Sequence, residues 1–150
     1  MIDSKEEKLR NTNEPKILGI GGIFFKSSNP NILSDWYMKN LGFTSQIKYT
    51  PDDNAINFRW KTIHDVPQTT VWAPFKVKTD YFSPSKKDFM INFIVNDLES
   101  FLHKLIQNGV QQVGNIQTFD YGKFAWILDP EGNKIELWEP TQLGREGIKK

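Results

Sequence analysis

The sequence contains no cysteine, which removes disulfides, thiolate nucleophiles and cysteine-ligated zinc together. It also has almost no net charge: 19 lysines and arginines against 18 aspartates and glutamates leave a formal +1. No field of one sign draws it to nucleic acid or to an anionic membrane. Histidine is limited to two residues, His64 and His103, and neither has a second histidine at metal-ligand spacing. No apolar run approaches the roughly 20 residues of a membrane span, and the opening MIDSKEEKLRNTNEPK has no apolar core of the kind a signal peptide needs. These absences lead to the expectation of a cytoplasmic protein whose partner is a small molecule.

What is there suffices for a real core. The chain has 150 residues and is 38% hydrophobic, consistent with one domain or two small modules that share a core. Two stretches have helical periodicity. In NPNILSDWYMKNLG, Asn29 caps, Pro30 takes the first helical position, Ile32, Leu33, Trp36, Tyr37 and Leu41 make the apolar stripe, and Gly42 stops the helix. In NDLESFLHKLIQNG, Asn96 and Glu99 resemble a capping box, Leu98, Phe101, Leu102, Leu105 and Ile106 share a face, and Gly109 ends the helix. His103 falls on the opposite, solvated face, and His64 in KTIHDVPQ reads as a surface residue of a loop.

An apolar strand precedes each helix, IGGIFFK and FMINFIV, and three strand-like segments follow it. These are TSQIKYT, NAINFRWK and TTVWAPF in the first half, and VQQVGNI, GKFAWIL and NKIELWE in the second, divided by turn residues. The pattern is an internal repeat. Its expected boundaries are modules at 16–76 and 87–140 within a domain at 16–140, a polar crossover KVKTDYFSPSKKD between them, and polar tails at 1–15 and 141–150.

Strand alternation separates two faces. Ile56, Phe58 and Trp60, then Ile91, Phe93 and Val95, then Ile135 and Leu137 form a greasy face suited to packing under the helices. Asn57 and Arg59, Met90, Asn92 and Ile94, then Lys134, Glu136 and Trp138 form a mixed face suited to a concave pocket. The same mixed face could equally be plain solvent surface. Asp120 and Tyr121 in TFDYGKFAW admit two readings, ligand contacts or a turn ending at Gly122. The GIGG stretch opens a strand and lacks the lysine of a phosphate loop.

Three stretches, GIFFKSSNPNILSDWYMKNLGF, FMINFIVNDLESFLHKLIQNGV and YGKFAWILDPEGNKIELWEP, resemble the vicinal oxygen chelate superfamily, which includes glyoxalase I, bleomycin-resistance proteins and extradiol dioxygenases. They span Ile17 to Pro140 in the order that family has. The resemblance implies an α+β fold of two βαβββ modules whose curled mixed sheets form an incomplete barrel around a small-molecule site, usually in homodimers. In metal-dependent members, ligands come from the first strand of each module and from a strand near its end. Carried over by position, those places fall at Gly22, Asn57, Met90 and Glu136, and only Glu136 matches.

The expectation is therefore a glyoxalase-like protein without a metal site and without a cofactor, which binds or sequesters a small organic ligand or moves protons. Glu136 is the candidate catalytic residue, and Asn57, Arg59, Asn92 and Trp138 are the candidate ligand contacts, with Arg59 placed to meet an anionic group. The alternatives are a metal-dependent lyase or isomerase that uses unaligned ligands such as His64 or Asp80, and a structural interaction module with a self-filled pocket.

Overall fold

The computed structural model describes residues 14–44 and 54–146. Strand β1 (Ile17–Ser27) leads into helix α1 (Pro30–Leu41). Strands β2 (Ile56–Lys61), β3 (Pro67–Lys76) and β4 (Phe89–Val95) follow, then helix α2 (Leu98–Gln107). Strands β5 (Gln112–Phe119), β6 (Gly122–Leu128) and β7 (Lys134–Pro140) precede a short helix α3 (Gln142–Glu146). The segment TSQIKYT, expected as a strand, lies outside the described residues apart from Thr44.

The seven strands form one mixed sheet in the order β2-β3-β1-β4-β7-β6-β5, which is not closed into a barrel. Each module keeps its first strand at the centre, and the two central strands, β1 and β4, pair antiparallel with Ile23 opposite Ile91. Within the modules, β1 pairs parallel with β3 and β4 pairs parallel with β7. The repeat read from sequence is thus joined edge to edge within a single chain.

The helices show why these segments fold as they do. Asn29 accepts a hydrogen bond from the Ile32 amide, Pro30 starts α1, and Gly42 closes it at φ 70°, the left-handed stop that glycine adopts without strain. Its buried face differs from the expected stripe. Leu33, Ser34 and Tyr37 turn inward, while Ile32, Trp36 and Leu41 are exposed. Ile32 and Trp36, one turn apart, share a flank that the sheet does not reach. Tyr37 instead packs on Trp72 at 4.6 Å between ring centroids, and Phe43 on Phe58 at 5.1 Å.

In α2 the cap is Asp97, which accepts from the Ser100 amide, rather than Asn96. Asn96 instead accepts from the Lys16 amide and donates to the Glu14 carbonyl, tying the start of β1 to this corner. Glu99 pairs with Lys123 at 3.0 Å, and Glu139 accepts from the Leu98 amide at 2.7 Å. The cap thus shifts by one residue because Asn96 is used elsewhere.

The core has two layers. Under α2, Leu98 and Leu102 meet Val95, Ala125, Ile127 and Leu137, with Phe93 and Ile135 alongside, as the greasy face of β4 and β7 requires. On the opposite, concave side lie Phe24, Met90, Ile94, Phe124, Trp126 and Trp138. Phe58 departs from the greasy-face reading, since it stays 43% exposed. Chain beyond Pro140, expected as a polar tail, forms α3, and Thr69 donates to the Arg145 carbonyl at 2.8 Å. A side chain at Gly144 would collide with the Tyr121 carbonyl and press on Trp138, so glycine permits this close docking.

The packing under α2 sets a stability contrast between neighbouring positions. Leu102→Ala should cost about 2–5 kcal/mol, whereas exposed His103→Ala should stay within about 0.5 kcal/mol. Urea unfolding midpoints check this; equal effects would contradict the assigned face.

Candidate functional site

One row of directly paired residues crosses the whole sheet. Asn57 lies opposite Val71, Val71 opposite Gly22, Gly22 opposite Asn92, Asn92 opposite Glu136, Glu136 opposite Trp126, and Trp126 opposite Val113. Directly paired residues project to the same face of a sheet, and Val71, Asn92 and Glu136 of this row line a cavity on that face. The alternation read for Asn57, Asn92 and Glu136 is the one the register has.

Glu136 is 2% exposed. Its Oε1 accepts from Asn92 Nδ2 at 2.7 Å, and its Oε2 accepts from Trp126 Nε1 at 2.7 Å and from the Tyr81 hydroxyl. The three donors come from β4, from β6 and from the crossover between the modules. Burial pushes the Glu136 pKa up, against the lowering effect of these hydrogen bonds and of Lys134. Tyr81 is pushed far above the usual phenol range, first by burial and then by the neighbouring carboxylate, so its hydroxyl remains a donor. Lys134 Nζ donates to the Tyr81 carbonyl at 2.7 Å and lies over the Tyr81 and Trp126 rings at 5.3 and 5.6 Å; burial lowers its pKa.

Beside this cluster is a cavity of about 350 Å³. Phe24, Phe75 and Tyr81 line it towards module one, and Phe119, Tyr121, Phe124 and Trp138 towards module two. Gly21, Asn92 and Glu136 also line it. β1 carries a register irregularity between Ile20 and Gly22, and a side chain at Gly21 would overlap Asn92 and come within 2.8 Å of Ile94. The missing side chain therefore lets the strand run close under the cavity.

The expected contacts divide. Asn92, Glu136 and Trp138 line the cavity. Asn57 is 5% exposed, with neither side-chain atom hydrogen-bonded, and lies in the row but not on the lining. Arg59 is exposed and absent from the lining, which corrects the expectation that it meets an anionic group. On β2, the last strand of the sheet among the described residues, its long side chain gains more from water than from the apolar groove. Tyr121 lines the cavity while Asp120 is exposed in the adjoining turn. Tyr81 and Trp126 were not among the expected residues. The one signal for Tyr81 is the aromatic pair Tyr81-Phe82 inside a polar crossover.

The positions carried over for a metal do not fit one. Gly22 has no side-chain donor, Met90 is wholly buried opposite Phe24, and its place in the row belongs to Asn92. Both Glu136 oxygens already have partners, and amides and a thioether are poor ligands for a hard divalent ion. Among the described residues no group of three His, Cys, Asp or Glu that could hold a metal is present, with or without His64 and Asp80.

The buried carboxylate has a pH consequence. A folded pKa raised above the unfolded value of about 4.3 gives stability that is full below that value and lost as pH rises through the folded one. The urea midpoint of the native chain should therefore fall relative to that of Glu136→Gln as pH is raised from about 4 to about 9. A difference that stays flat with pH would contradict a raised folded pKa at this position.

No protein-family model matches the chain, and no curated protein matches it. Solved structures do. A glyoxalase/bleomycin resistance protein/dioxygenase superfamily member from Vibrio splendidus 12B01 superposes with a TM-score of 0.53 at 11% identity, covering 84% of this chain and 99% of that one. Methylmalonyl-CoA epimerase from Mycobacterium tuberculosis gives 0.54 at 16% identity over 87% and 93%. A variant of the Streptomyces coelicolor methylmalonyl-CoA epimerase gives 0.59 at 11% identity over 84% and 99%. Together with the paired modules and the concave cavity, these likenesses establish that the chain has the fold of the vicinal oxygen chelate superfamily.

Proposed function

We propose that this chain is a glyoxalase-like protein that binds a small organic ligand in the concave cavity without a divalent metal. The observation that carries the reading is the bonding of Glu136. At the place where metal-dependent members put their closing ligand, this carboxylate is held by Tyr81, Asn92 and Trp126 of its own chain. The three donors do in this chain what a cation does in such members: they satisfy a buried charge. The cavity beside it remains open to a ligand, which argues against a self-filled structural module.

In this reading Asn92 and Trp138 touch the ligand, and Glu136 fixes Asn92 and Tyr81 as the wall against which it rests. Asn57 belongs to the same face, and Arg59 stays at the rim. Binding or sequestration follows from the geometry without further assumptions. Proton transfer is the second reading, favoured by the raised Glu136 pKa and by its place on the cavity lining. Both oxygens of this carboxylate are already engaged by donors of its own chain, so binding stands first. The two separate on Glu136→Gln: a catalyst loses turnover and keeps affinity, whereas a binder shows a modest change in affinity alone.

Elemental analysis after dialysis without chelator should find Zn, Ni, Fe and Mn each well below one per chain. A ratio near one that disappears in Glu136→Ala would overturn the metal-free reading. A cytoplasmic location belongs to the proposal; among the described residues no helix is long and apolar enough to cross a membrane.

A homodimer is also part of the proposal. Among the described residues β2 and β5 end the sheet, and Ile20, Ile23 and Phe89 expose apolar surface at its centre; such features are usually covered by association. Light scattering over a wide concentration range should give twice the chain mass, and a strictly monomeric mass at high concentration would refute it.

A further inference from the structure

We infer that the occupant of the cavity is a planar aromatic molecule without negative charge. The inference rests on the binding reading above and specifies the ligand class it leaves open. Three ring pairs at the cavity are nearly parallel: Phe75 with Tyr81 at 10°, Phe119 with Tyr121 at 2°, and Phe124 with Trp138 at 10°. The first pair belongs to the module-one side and the other two to the module-two side, so stacked aromatic rings line the cavity on both sides. Offset stacking against such rings adds to simple area burial. The volume, about 350 Å³, is at the small end of the roughly 300–1,000 Å³ that ligand pockets occupy.

Charge decides the second half of the statement. No lysine, arginine or histidine is among the described residues lining the cavity. Lys134 is engaged with the Tyr81 carbonyl and two ring faces, and neither Arg59 nor Arg145 is on the lining. The formal charge that does line it is the Glu136 carboxylate. An anion entering here would give up its water and find no cation among the described lining residues, beside a carboxyl group that already occupies the floor. An uncharged aromatic has no such cost, and the Asn92 and Gln117 side chains at the lining offer hydrogen-bonding groups for a hydroxyl or carbonyl substituent.

The test is titration calorimetry on the full chain at neutral pH with four probes: 2-naphthol, decahydro-2-naphthol, 2-naphthoate and acetyl-CoA. The expected result is that 2-naphthol binds at least about tenfold more tightly than each of the others. Phe119→Leu, at a half-exposed position where the fold tolerates change, should weaken 2-naphthol about threefold and leave decahydro-2-naphthol nearly unchanged. Glu136→Gln should narrow the gap between 2-naphthol and 2-naphthoate. Equal or tighter binding of 2-naphthoate or acetyl-CoA overturns the charge assignment, and equal binding of decahydro-2-naphthol overturns planarity. Both of those results leave the binding reading standing. Failure of all four probes to bind at millimolar concentration overturns the inference, and if a broad thermal-shift screen is also blank the binding reading falls with it.

Discussion

Everything at the centre of this molecule depends on keeping one carboxylate satisfied away from water. Leaving a buried charge unpaired costs several kcal/mol, so Glu136 dictates its surroundings. It fixes the Asn92 amide on the neighbouring strand, the Trp126 indole across the next ladder, and the Tyr81 hydroxyl at the end of the crossover. Tyr81 in turn brings its backbone carbonyl to Lys134 and its ring against Phe75. A wall of the cavity is thus assembled from three remote parts of the chain by the needs of a single side chain.

Charge and shape in the groove come from different sources. The apolar walls are supplied by ordinary core residues such as Phe124 and Trp138, whose stacking serves the fold whether or not a ligand is present. The polar floor comes from strand register, because Asn92, Glu136 and Trp126 share one row. Loss of the Gly21 side chain makes the two compatible by letting β1 pass beneath without filling the space.

Much of this was legible in the sequence, because local rules and global fold agree there. Alternation placed Glu136 and Asn92 on one face, and the helix starts and stops at Asn29, Gly42 and Gly109 followed from capping chemistry. What was not legible depends on distances between segments far apart in the chain. Tyr81 sits 55 residues from Glu136, in a stretch whose polar composition reads as a linker. Arg59 has the right parity but stays off the lining, since alternation gives a face without saying how far along it the groove extends. The α1 stripe failed for a similar reason: periodicity predicts an apolar flank, but the neighbouring sheet decides how much of it is covered.

The join between the modules has a consequence for cutting the chain. β1 and β4 meet through their antiparallel ladder, Asn96 and Thr69 add hydrogen bonds between the halves, and the covalent link runs through the crossover that carries Tyr81. A break between Lys86 and Lys87 would leave one piece with Tyr81 and the other with Asn92, Trp126 and Glu136. Each piece retains a strand, a helix and further strands of its own, and the second would hold a carboxylate lacking one donor until the first returned. The crossover is therefore more than a tether: the carboxylate of the second half takes one of its three donors from it.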